Sequence, residues 1–152
     1  MNPVHLGLAA ALTISLPGPA WAARPTSPSS MTATFGDPNA GHVDLQVAWV
    51  GKTVRAVEIV THRVGAPGSR FQLKVDGRQV IPPSILSDKE CHFDGGGSVC
   101  NITVDRKSGA FRTLLAAIRT GTTARVTIEN AGNVAMDTDA SIRKLATRLR
   151  RR

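Results

Sequence analysis

The sequence predicts a mainly β (α+β) fold: an antiparallel β-sandwich-like domain with one central helix and a basic C-terminal helix. Three observations point there. Several short runs alternate apolar with polar residues and are separated by glycine, asparagine or aspartate turns, as in a sheet buried on one face. The stretch Gly109 to Thr120 carries apolar residues at helical spacing. The last ten residues carry six of the chain's 19 Lys and Arg.

The 152 residues give room for one domain and a processed segment. Leu6 to Leu16 is an uncharged apolar run, far shorter than the roughly 20 residues a transmembrane helix needs. Pro17-Gly18-Pro19 breaks it, and Ala20-Trp21-Ala22 places small residues where a signal peptidase reads. Residues 1–22 are therefore expected to be a cleaved export signal, which makes the mature protein periplasmic or secreted. Residues 23–40 are rich in Pro, Ser, Thr and Gly and read as a flexible lead-in.

The domain proper is expected over residues 41–140. From His42 to Val50, Val43, Leu45, Val47 and Trp49 alternate with Asp44, Gln46 and Ala48, the period of a half-buried strand. Gly51-Lys52 suits a two-residue turn into the β-branched run Thr53 to Thr61, so 42–62 reads as a hairpin. Phe71, Leu73 and Val75 form a strand that turns at Asp76-Gly77 and returns until Pro82-Pro83 stops it. Ser84 to Gly97 reads as a loop, Val99 to Val104 as a strand with Cys100 facing inward. Ser108 is placed to cap the helix, in which Phe111, Leu114, Leu115 and Ile118 form one stripe, and Gly121 to stop it. Ala124 to Ile128 and Val134 to Met136 are further strands around a turn at 130–132. Asp139 is expected to cap a basic amphipathic tail, 141–152, in which Ile142, Leu145 and Leu149 share a face.

Cys91 and Cys100 are the only cysteines. An even count in an exported chain favours one disulfide, while their spacing fits neither a Cys-x-x-Cys redox pair nor a four-ligand zinc site. Gly95-Gly96-Gly97 between them reads as loop slack.

The formal charge of +8 is localised. Without Arg143, Lys144, Arg148, Arg150, Arg151 and Arg152, 13 basic residues face 11 acidic ones. The charge thus belongs to a tail rather than to a domain-wide nucleic-acid surface, and a chain without tyrosine offers a poor stacking platform for single strands. The six residues are the candidate contact to an anionic envelope or host surface. As an appended element, the tail is expected to be removable without loss of the fold. A protein partner is the other expected class, and nucleic acid is disfavoured.

Four stretches resemble the invasion-associated locus B family of exported bacterial proteins: Phe71 to Gly77 (FQLKVDG), the paired cysteines with intervening glycines, Phe111 to Gly121 (FRTLLAAIRTG) and Ala124 to Gly132 (ARVTIENAG). The resemblance implies an exported, sandwich-like, non-enzymatic protein, linked in some members to host-cell interaction. It implies no catalytic residue and no cofactor.

No nucleophile elbow, phosphate-binding loop, zinc-protease or dinucleotide signature occurs in the chain. His42, His62 and His92, with Asp44, Glu58 or Asp94 nearby, contain the donor types of a zinc or copper site, but their spacing matches no metal motif. A turn at Gly51-Lys52 brings His42 opposite His62 by register. The expectation is a pair of polar residues at a strand end with no metal assigned; the alternative is an exported metal-dependent enzyme using His42 and His62.

Overall fold

The computed structural model describes residues 28–152. The expected export signal, 1–22, lies outside the described residues, as does the start of the lead-in. The elements are β1 (Ser29–Gly36), β2 (His42–Val50), β3 (Thr53–His62), β4 (Arg70–Val75), β5 (Arg78–Ile85), β6 (Cys91–Asp94), β7 (Gly97–Thr103), α1 (Gly109–Thr120), β8 (Thr123–Asn130), β9 (Asn133–Ser141) and α2 (Arg143–Arg150). All strand pairs are antiparallel. One sheet is ordered β1-β2-β3-β7-β6 and the other β5-β4-β8-β9, giving the β-sandwich-like architecture.

The alternation along β2 sets one face of the core. Val43, Leu45, Val47 and Trp49 are buried, as are Val57 and Ile59 beside them on β3. Phe71, Leu73 and Val75 of β4 and Ala124, Val126 and Ile128 of β8 complete a single apolar cluster. The turn at Asp76-Gly77 has both residues at positive φ, 48° and 78°, as a tight two-residue hairpin requires. The Asp76 carboxylate also accepts hydrogen bonds from the Thr122 and Thr123 amides and from the Thr122 hydroxyl, at 2.8 to 3.2 Å. This ties the β4–β5 turn to the entry of β8.

Helix α1 begins where the sequence places it: Ser108 Oγ accepts the Phe111 amide at 3.1 Å, and Phe111, Leu114 and Ile118 are buried. The helix ends at Gly121, but by a different means from the left-handed stop that a terminal glycine predicts. Gly121 has an extended φ of −77°. What it supplies is space, because a Cβ there would lie 2.5 Å from Val75 and 2.8 Å from Ile142.

Several expectations are corrected. Residues 29–36 of the expected lead-in form β1, paired with β2 from Ser29 opposite Trp49 to Gly36 opposite His42. Their inward residues, Met31, Ala33 and Phe35, pack on the core, a signal diluted by the surrounding Ser and Thr. Strand β5 runs through Pro82-Pro83 to Ile85. It is an edge strand, where a missing N–H leaves no ladder partner unsatisfied. The expected loop 84–97 contains β6, hairpinned to β7. The short strand expected at 134–136 extends over Asn133–Ser141, so Asp139 lies inside β9 and caps nothing. Ile142 occupies the N-cap of α2 without a side-chain cap.

The cysteines form a disulfide, directly opposite one another in the β6–β7 register. Closing a loop of this length is worth roughly 2.5–3 kcal/mol in the chain-entropy model. No described helix is long and apolar enough to cross a membrane.

The tail is not an appendage. Ile142, Leu145, Ala146 and Leu149 are all buried, and α2 packs on α1 and β1. Its removal would open the core, contrary to the expectation of a dispensable segment. Leu149→Ala is expected to cost about 2–5 kcal/mol in urea unfolding, the range for a buried leucine; a loss below about 0.5 kcal/mol would mean that α2 does not contribute to the core.

The hydrogen bonds from Thr123 and Thr122 hold the Asp76 carboxyl below its ordinary value. A depressed folded-state pKa contributes stability above the unfolded value of about 3.9, lost as pH falls through the folded value. Asp76→Asn keeps the turn and removes the titration. Wild type is expected to be the more stable at about pH 7, with the difference shrinking below about pH 4; urea midpoints across that range measure it.

Candidate functional site

Burial of the α2 stripe fixes which basic side chains remain available. Three of the six expected contact residues are engaged by the protein itself. Arg150 Nη1 donates to the Arg119 carbonyl at 3.0 Å. Arg152 Nη1 donates to the Gly51 carbonyl at 3.0 Å, and its guanidinium sits 4.8 Å from the centre of the Trp49 ring. Arg148 approaches the same ring at 6.0 Å. These contacts clamp the chain end onto the β2–β3 turn and cover Trp49, which is 2% exposed.

Arg143, Lys144 and Arg151 remain. Among the described residues none of the six cations forms an ion pair. Arg143, Lys144, Arg148 and Arg151 border a shallow depression of about 350 Å³ with Met31 and Thr147. Chemically this is a rigid cationic face on a helix whose apolar side is already used.

The structure brings His42 and His62 together as the hairpin register predicts, directly opposite one another on β2 and β3. They lie on the outer face of the sheet because the residues between them in the alternation, Val43 and Thr61, point inward and are buried. The imidazoles stack with centroids 4.3 Å apart and planes 12° from parallel. Of the three acidic neighbours considered, Asp44 is the one that joins them: its Oδ2 is 3.6 Å from His42 Nε2 and 3.5 Å from His62 Nε2. Its Oδ1 accepts the Thr34 hydroxyl of β1 at 2.6 Å. His92 sits beyond β7, opposite Val99, and is no part of the cluster.

Arg63 has no precedent in the sequence pattern. It takes a left-handed φ of 64°, its amide donates to the Ser98 carbonyl at 2.8 Å, and its side chain lies over Gly96 and Gly97. A Cβ on Gly96 would meet that guanidinium at 2.7 Å. Gly96 and Gly97 are thus room for an arginine rather than slack, while a Cβ on Gly95 would meet nothing. With Asp94, His42 and His62, Arg63 lines a pocket of about 140 Å³.

No protein-family model, curated protein or solved structure matches this chain.

Because Arg152 binds the turn and the Trp49 ring while Lys144 has no partner among the described residues, their removal should differ. Arg152→Ala is expected to lower stability by about 0.5–1 kcal/mol and alter Trp49 fluorescence. Lys144→Ala should stay within about 0.5 kcal/mol of wild type. Equal effects in denaturant melts would contradict the clamp.

Proposed function

We propose that this protein is an exported, non-enzymatic binding module, as its resemblance to the invasion-associated locus B family implies, and that it docks on an anionic envelope or host surface through the outer face of α2. The observation that carries this reading is the division of labour on α2. Its apolar stripe is buried while Arg143, Lys144 and Arg151 face solvent without a carboxylate partner among the described residues. The Cys91–Cys100 disulfide supports an oxidising compartment, and with it the reading of residues 1–22 as an export signal.

The buried stripe changes the binding mode from that of an interfacial amphipathic helix. The apolar face of α2 is not free to enter a bilayer, so attraction through this helix is electrostatic. Each basic residue near an anionic surface contributes about 1 kcal/mol, and at moderate salt the field decays within about 10 Å. Three free cations on one face are enough for a weak, salt-sensitive contact.

Sedimentation with phosphatidylglycerol-containing vesicles tests this. Wild type is expected to bind at low salt, to release at about 0.5 M NaCl and to ignore zwitterionic vesicles. The triple change Arg143→Gln, Lys144→Gln, Arg151→Gln should weaken binding by about tenfold or more with the melting temperature unchanged. Undiminished binding by the triple variant would refute the role of this face.

A further inference from the structure

We propose that His42, Asp44 and His62 form a binding site for one divalent transition-metal ion of the zinc or copper class on the outer face of the five-stranded sheet. This site is independent of the cationic face of α2 and requires no reaction.

Ligand atoms about 2.0–2.1 Å from a tetrahedral ion lie about 3.3–3.4 Å from each other. The two Nε2–Oδ2 separations, 3.6 and 3.5 Å, are close to that edge length. They are too long for hydrogen bonds, which fall near 2.7–3.2 Å. Two of the three ligand-to-ligand edges are therefore already near those of a coordination shell, and one ligand atom from each of the three residues lies within 4.8 Å of the others.

Asp44 Oδ1 is fixed by Thr34 on β1 at 2.6 Å, leaving Oδ2 as the free ligand atom; this is the outer-shell bond that orients a ligating carboxylate. The three ligands stand on two adjacent strands whose register is set by the β2–β3 hairpin, so the site is built on rigid elements. Side-chain exposures of 16%, 25% and 33% for His42, Asp44 and His62 describe a half-sheltered shelf. It leaves a remaining coordination position open to water.

His42 Nδ1 is buried with no hydrogen-bond partner, so no outer-shell bond locks that ring. Parallel stacked imidazoles do not aim both in-plane lone pairs at one point. Binding therefore needs the rings to swing from parallel into a V, a rotation that breaks no hydrogen bond at His42 Nδ1. The same missing bond places affinity below that of a fully supported site. Arg63, the nearby cation of the pocket, is held over Gly96 and Gly97 and donates to the Asn39 carbonyl at 3.4 Å. Nitrogen and oxygen donors in this ratio suit Zn²⁺ and Cu²⁺ over the hard, all-oxygen cations.

Titration of the untagged chain with ZnCl₂, and separately CuSO₄, tests the assignment. The melting temperature is expected to rise with the logarithm of free ion at a stoichiometry of one. The His42 and His62 imidazole NMR signals should shift with Zn²⁺, or broaden with Cu²⁺, while His92 is unmoved. Asp44→Asn and His62→Gln, each first shown to melt like wild type without metal, should lose at least tenfold in affinity, and His92→Gln should lose none. No shift with either ion at tenfold excess, or equal loss in His92→Gln and His62→Gln, overturns the site. MgCl₂ binding as well as ZnCl₂ would likewise overturn it.

Discussion

Strand β2 is paired on both sides, by β1 and by β3, and each of its residues is committed to one of two environments by the pleat. Val43, Leu45, Val47 and Trp49 go to the core, while His42, Asp44, Gln46 and Ala48 go to the outer face. A slip of one residue in either pairing would exchange the two sets, exposing the largest apolar side chains of the sheet and burying an aspartate. The energetic demand of the core thus fixes the position of the outer side chains with no further cost. His42 meets His62, and Thr34 meets Asp44, because Val43 and Leu45 must be inside.

The same economy governs the C-terminal end. A basic segment alone would be solvated and mobile, but Ile142, Leu145 and Leu149 recur at the spacing that places them on one face of a helix. Their burial gives α2 a fixed orientation, and the orientation decides which cations face outward and which fold back onto Trp49 and the Gly51 carbonyl. Charge that looks uniform in the sequence becomes two populations with different physical roles.

What was legible follows from signal strength. The β2–β3 hairpin, the Asp76-Gly77 turn, the Ser108-capped helix and the cysteine pair each rest on a local pattern with one dominant cause: alternation, positive φ, a capping hydroxyl, an even count. Strand β1 was hidden because it holds only one large buried residue, Phe35, and takes its stability from pairing with β2, a non-local cause. Pro82-Pro83 misled because the ban on proline applies to paired N–H groups, and edge status is a property of the sheet and not of the segment. For the outer-face cluster the hairpin register located the two histidines, but selecting Asp44 over Glu58 or Asp94 needed the strand twist and the Thr34 contact from β1. Arg63 left no local trace, since its placement depends on the absence of side chains at Gly96 and Gly97.

The proline pair has a consequence for how molecules of this protein meet one another. An exposed sheet edge is a row of unpaired amides and carbonyls that invites a second chain to add a strand. At one side of the sandwich the edges are β5 and β6. The first is interrupted by two residues that cannot donate, and the second is only four residues long and is tethered to its neighbour by a covalent bridge. At the other side β1 and β9 lie against each other. Among the described residues, strand addition at β5 and β6 is thereby discouraged, which directs any meeting of two copies away from that border.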